Sequence, residues 1–245
     1  MSRTLFDSAA QVYDRLRPPY PPGLYDGIEE LSGRPLRDAV VADVGAGTGI
    51  ATAELVARGA HVLAVDLSLA MLKHQRIPSA AVVGSGAALP VRSASCDLVC
   101  YAMSWHWMPE EAASAEASRV LRAGRALALW WNEYEEGSAV DSRQWFEETG
   151  RKRPANAGSI DHADVERRLR TSGRFTDVWG LTVPWQRSVD IQDVLDERAT
   201  HSSVIELGVD RLDYLLHYRA QLDKAWPDGI VHERYVCQLH VALVA

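Results

Sequence analysis

Chemistry-bearing residues concentrate in the stretch Val40-Val41-Ala42-Asp43-Val44-Gly45-Ala46-Gly47-Thr48-Gly49-Ile50. An apolar run ends there, and glycines follow at alternate positions before a helical pattern begins. Glycine is needed where a chain turns sharply or lies against a ligand, because a Cβ would collide. The helix that follows offers unpaired amide groups in its first turn. Asp66, in Ala64-Val65-Asp66-Leu67, closes the next apolar run, where a carboxylate can take both hydroxyls of a ribose. Two phosphate-binding patterns fit poorly. Counted from Gly45, the dinucleotide fingerprint GxGxxG needs glycine or alanine at position 50, and Ile50 stands there. A P-loop needs Lys-Ser or Lys-Thr after the glycines, and neither follows.

A second group lies in Ala102-Met103-Ser104-Trp105-His106-Trp107-Met108-Pro109. His106 is the candidate general base, since an imidazole titrates near neutrality. Lining a pocket without proton transfer, or a structural hydrogen bond, are its other readings. Ser104 and Tyr134 are further polar candidates. The chain has 8 tryptophans against 3 phenylalanines, and Trp105, Trp107, Trp130 and Trp131 fall near the ends of the fourth and fifth apolar runs. Aromatic faces pack planar or apolar molecules and attract cations. If the strand continues through Trp130 and Trp131 they point to opposite faces, so at least one belongs to the core. Trp145, in a polar insertion, is the candidate for a lid residue. The 8 histidines contain no HExxH pattern and no zinc-spaced set.

Positioning these groups requires alternating elements. Short runs rich in Val, Leu and Ala at 39–44, 61–65, 80–83, 97–101 and 126–131 read as strands buried on both faces. Helical patterns at 49–58, 68–75 and 110–121 separate them, which implies a parallel sheet covered on both sides. Two helices, over 8–16 and 22–31, precede the first strand. After position 131 the chain turns polar. It then reads as helix over 161–171, strand over 175–183, helices over 191–198 and 209–226, and a last strand over 235–243. Neither a repeat nor a low-complexity tract interrupts the single domain this implies.

Composition bounds the partners. With 26 basic and 33 acidic residues the formal charge is −7, which disfavours nucleic acid and anionic membrane. No run approaches the roughly 18 apolar residues of a membrane span, and the start of the chain lacks a signal-peptide core. The 3 cysteines form no CxxC pair, which fits a reducing cytoplasm.

Asp43-x-Gly45-x-Gly47-x-Gly49, followed by Asp66, resembles motif I and its successor in class I S-adenosylmethionine-dependent methyltransferases, of the small-molecule, methyltransferase-domain-11-like type. Residues 83–99 are similar to the family pattern around strands three and four. Ser85 stands there in place of the usual acid that bonds the adenine amino group. Val120-Leu121-Arg122-Ala123-Gly124-Arg125 resembles the turn before strand five, with Ala123 and Arg125 replacing a proline and a glycine. Phe6, Ala10, Tyr13, Arg17, Pro18, Tyr20 and Pro21 match a family start that acts as a lid.

The resemblance implies a Rossmann-like α/β fold with a seven-stranded, mostly parallel sheet in the order 3-2-1-4-5-7-6, the last strand antiparallel. Helices would cover both faces. It implies a helical lid drawn from the N-terminus, residues 132–160 and residues 184–230. Residues 1–35 would hold the lid helices, 36–131 the cofactor half, and 132–245 the substrate-side insertions with the rest of the sheet. Gly45, Ala46 and Gly47 would admit the amino-acid end of S-adenosylmethionine, with Asp43 facing its amino group. Asp66 would hold the ribose. Leu67 and Met71 would pack on adenine, although Met71 at helical spacing also reads as plain core. Ser85, Gly86 and Ala87 would read the adenine edge, and Ala102 would line the pocket. Tyr13 would cover the cofactor and Arg17 pair its carboxylate; helix packing and a solvated helix end are the plainer readings. Ser104, Trp105, Trp107, Tyr134 and Trp145 would face the acceptor. The expected activity is methyl transfer to O, N or C of a small acceptor, with S-adenosylhomocysteine as product and the tryptophans leaning toward an aromatic one. Proximity and orientation would supply most of the catalysis, with no metal. The alternatives are a protein that binds S-adenosylmethionine without methyl transfer, as cyclase or regulator, and a nicotinamide-dependent oxidoreductase.

Overall fold

The apolar runs form the parallel part of one sheet, from one edge to beyond its middle. In the computed structural model, which describes residues 16–135, 143–152 and 160–245, they are β1 (Val40–Val44), β2 (His61–Asp66), β3 (Ala80–Val83), β4 (Cys96–Ala102) and β5 (Leu121–Tyr134). β6 (Phe175–Asp190) and β7 (Ile230–Val244) complete a seven-stranded sheet in the order β3-β2-β1-β4-β5-β7-β6. β1 to β5 run parallel, whereas β7 is antiparallel to both β5 and β6. Order and direction are those the family resemblance implies. Tyr13 and the helix expected over 8–16 fall outside the described residues, apart from Leu16.

Alternation along each central strand divides the core. Ala42, Val44, Leu127, Leu129 and Trp131 face one side, under α4 (Glu110–Val120) and α6 (His162–Thr171). Val41, Ala126, Ala128 and Trp130 face the other, with α1 (Pro22–Ser32) and α2 (Ile50–Ala57) packed on them. Both tryptophans are therefore core. Burying one large side chain of this kind stabilises by about 1.5–3 kcal/mol, so this two-sided layering is the main source of stability. α1 starts with proline in its first turn and stops at Gly33, whose φ of 64° only glycine adopts cheaply.

The structure departs from the sequence reading after β5. Residues 132–134 and 184–190, expected as parts of a helical lid, are strand: β5 runs on to Tyr134 and β6 to Asp190. β6 is an edge strand of the sheet and tolerates Pro184, which lacks a donor, within its ladder. From Gly180 onward its exposure alternates residue by residue, the mark of a half-covered strand. Helices do occupy α5 (Arg143–Thr149), α7 (Ile191–Ala199), α8 (Ser202–Ile205) and α9 (Arg211–Ala225), between and beyond these strands. Trp145 on α5 is not open to a cleft. Only 2% exposed, it packs with Phe146, Val204 and Tyr214, under the Arg151 guanidinium.

Candidate active site

β1 and β4 are neighbours whose connections leave in opposite directions, so the sheet's switch point opens between their carboxyl ends. The glycine loop sits there. Gly45 has φ 71°, and a Cβ on it would lie 2.5 Å from Cβ of Ser104. Its N–H and that of Ala46 donate to the Val65 carbonyl, tying the loop to β2. Gly47 (φ 57°) donates to Asp66 Oδ2 at 2.9 Å, and Ser68 N–H donates to Asp66 Oδ1 at 2.8 Å. Asp66 is thus held at the strand end by a backbone donor to each of its oxygens, and a carboxylate so placed can accept from a ligand hydroxyl. Ser68 caps α3 (Leu69–Lys73) through Met71 N–H.

Asp43 is fully buried. Thr52 donates to its Oδ2 at 2.6 Å and Cys100 lies 3.7 Å from its Oδ1, so the carboxylate locks β1 to α2 and β4. Burial pushes its pKa up to about 6 against the lowering pull of Thr52. Any effect on a ligand amino group passes through the loop that it braces.

Beside Asp66, Leu67 is 51% exposed, and Val83, the β3 partner of Asp66, is 41% exposed. An apolar rim next to a strand-end carboxylate has the chemistry a ribose and purine require. Met71 is buried, its Cε 3.4 Å from where a Gly47 Cβ would stand, so it supports the loop from behind. Ser85 spends its hydroxyl locally, accepting from Ala87 N–H. At Gly86 a Cβ would meet Met108 Sδ at 2.7 Å, so the chain passes too close there for any side chain. The glycines, the Asp66 carboxylate and the apolar rim together fit S-adenosylmethionine.

The far side of the switch point is built from the end of β4. Met103 adopts φ 52°, a strained conformation for a residue with a side chain. Ser104 donates to the Val44 carbonyl at 2.6 Å and fills the space over Gly45; its hydroxyl belongs to the loop. Trp105 is buried edge-on against Tyr101, and Ala102 packs toward the opposite core. Trp107 is half-buried beside the His106 ring. Trp131 donates its indole N–H to His106 Nδ1 at 3.1 Å. The inner edge of His106 is buried, which pushes its pKa down to about 4, while its outer edge meets solvent. Because Nδ1 accepts from Trp131, the neutral ring carries its hydrogen on Nε2 and presents a donor, not a lone pair.

Next to the loop lies a cavity of about 80 Å³, lined by Arg17, Tyr20, Ile50, Met103, Asn132, Tyr134, Tyr235, Glu197 and His201 among others. Asn132 and Arg187 hold the segment that roofs it, donating to the carbonyls of Pro19 and Leu16. Tyr134 stacks on Tyr235 with centroids 4.7 Å apart and donates to Glu233 Oε1. The sequence reading thus brings Arg17 and Tyr134 to one cavity, and leaves Trp105 in the core and Trp145 in its own cluster. It missed Glu197 and His201. Their spacing of four on a helix end was the available signal.

Residues 42–129 match a family model described as a methyltransferase domain. An uncharacterized methyltransferase of Mycobacterium tuberculosis is 34% identical over 203 residues, which cover 82% of this chain and 77% of that protein. A structure named as a type II methyltransferase from Anaeromyxobacter dehalogenans superposes with TM-score 0.67 at 22% identity, covering 92% of this chain and 96% of that one. Phosphoethanolamine N-methyltransferase 2 of Haemonchus contortus, in complex with S-adenosyl-L-methionine, gives TM-score 0.58 at 15% identity over all of this chain and 60% of that one. At these structural identities the likeness is one of fold, and the mycobacterial relative carries the family. The chain belongs to the class I S-adenosylmethionine-dependent methyltransferases.

Proposed function

We propose that this methyltransferase acts on an oxygen, nitrogen or carbon atom of a small acceptor held in the cavity beside the glycine loop, with planar or apolar acceptors favoured. The observation that carries the reading is the position of that cavity. Its wall joins Ile50, at the start of the helix after the glycine loop, to Met103, at the end of β4, and tyrosine rings form much of the rest. S-adenosylmethionine supplies an already electrophilic methyl group, so the protein's task is alignment and exclusion of water, worth roughly 7 kcal/mol or more. Asp66 and the backbone of Gly45 to Gly47 would hold the ribose and amino-acid portions. Leu67 and Val83 would cover the purine, and Arg17 would stand at the methionine end. We read the whole chain as one domain, in which the N-terminal residues and the helices after β5 enclose the acceptor.

Calorimetric titration with S-adenosylhomocysteine, repeated with NADH and with Asp66→Ala, tests the cofactor. Micromolar binding of the first ligand alone, weakened at least tenfold by the substitution, is expected; preference for NADH would refute the reading. Mass-spectrometric screening of phenols, amines and small acids for a gain of one methyl group then tests the reaction. Binding with no methylated product from any of them would favour a protein that holds the cofactor without methyl transfer.

A further inference from the structure

The carboxyl end of α7 brings two groups together at the cavity wall. His201 Nε2 lies 2.9 Å from Glu197 Oε1. Glu197 is 2% exposed and is held in turn by Arg17 at 3.8 Å and Arg187 at 3.9 Å. A carboxylate against Nε2 fixes the tautomer: Nε2 carries the hydrogen and Nδ1 keeps a lone pair. Within the described residues no hydrogen bond is made to that Nδ1. The ring lines the same cavity as Ile50, Met103, Tyr134 and Tyr235. His106 offers the reverse arrangement, because Trp131 already uses its lone pair.

We propose that His201, oriented by Glu197, is the general base of the methyl transfer, accepting the acceptor's proton at Nδ1. The inference rests on the methyltransferase reading of the cavity given above. The acceptor's heteroatom forms the new bond to the methyl carbon. The carbon–sulfur bond breaks with its electron pair going to sulfur, and the acceptor's proton passes to Nδ1. The positive charge lost at sulfur reappears on the imidazolium, where Glu197 faces it, and the proton then leaves to solvent.

The charges around His201 come from every packed element. Glu197 and Arg198 lie on its own helix end, Arg17 on the roof, Tyr134 on β5, Arg187 on β6, and Glu233 and Tyr235 on β7. Burial, then Arg17, holds the ring down at about 4, so it is neutral and able to accept at pH 7. Removing a positive charge beside it, as methyl transfer does, raises its proton affinity as the reaction proceeds.

Nitrogen-15 NMR of the imidazoles tests the placement without any acceptor, the His201 signals being assigned by their loss in His201→Gln. We expect an Nε2-protonated ring whose titration midpoint is lower with S-adenosylmethionine bound than with S-adenosylhomocysteine, by about half a pH unit or more. An Nδ1-protonated ring, or equal midpoints in the two complexes, overturns the proposal. With the first proton-bearing acceptor found by the screen, His201→Gln should lose about 10²–10⁴-fold in turnover and bind S-adenosylhomocysteine within about threefold of the unaltered protein. Retained turnover would also overturn it. Failure of the unaltered protein to methylate any acceptor, with both midpoints as expected, counts against the reaction and leaves the placement of the ring standing.

Discussion

Gly45 shows how little freedom the site leaves to a single residue. Its φ of 71° already costs a non-glycine residue about 1–2 kcal/mol. A Cβ placed 2.5 Å from Ser104 Cβ would also force that side chain off the Val44 carbonyl, to which its hydroxyl donates. Gly45→Ala should therefore lower the unfolding free energy by about 2 kcal/mol or more. It should also weaken S-adenosylhomocysteine binding at least tenfold, because the loop cannot move away from Ser104 without disturbing its bonds to Val65. Urea unfolding and calorimetry check the two parts separately; unchanged binding would mean that the loop lies clear of the ligand. The same residue explains what the sequence could show. Glycine spacing and a strand-end carboxylate are local signals, readable without a fold. The hydroxyl of Ser104, by contrast, was open to an acceptor in the sequence, and only the approach of β4 to β1 commits it to the loop.

Among the elements, legibility followed burial. β1, β2 and β4 are short and largely covered on both faces, so each appears as an apolar run; β3, at the sheet edge and mostly exposed, is legible from its apolar residues alone. β6 beyond Val183 and β7 before Tyr235 are half-covered strands whose polar residues alternate outward, and Pro184 reads as a break. The β5–β7 ladder brings Glu233 and Tyr235 against Tyr134, a contact between positions about a hundred residues apart that no local pattern foretells. The long β6–β7 ladder sets Arg187 opposite Glu233. It also delivers the chain to Asp190, where α7 begins. Asp190 accepts from Gln192 N–H at 2.7 Å and caps the helix that carries Glu197. Asp190→Ala should cost about 1 kcal/mol of stability. The loss should fall mainly on α7, so hydrogen exchange should quicken at Val194 and Leu195 more than at β1. A uniform change in exchange would contradict this local role of the cap.

At the scale of the whole molecule, the chain keeps several imidazoles neutral by burial, and its stability must carry their signature. His201 and His106 are held at about 4, each chiefly by burial, and His240 is also lowered, by burial first and then by His162 at 3.0 Å. A histidine whose folded pKa lies below its unfolded value near 6.5 binds protons more readily in the unfolded chain. Its contribution is intact above pH 6.5 and is lost as pH falls toward the folded value. For His201 alone the loss at pH 5 comes to about 2 kcal/mol. Asp43 works in the opposite sense, since its raised pKa of about 6 favours the folded state once protonated. Between pH 7 and 5 it restores about 1 kcal/mol, less than His201 gives up. Glu197, held near 2 by His201 and Arg17 against its burial, adds a further loss below pH 4.5. Urea midpoints measured from pH 8 to pH 4 should therefore stay level down to about 6.5 and then fall. In His201→Gln the drop between pH 6.5 and 5 should be visibly shallower, because one protonation that favours unfolding has been removed. An equally steep drop in that variant would mean that His201 titrates alike in both states, and that burial and Arg17 do not hold it down.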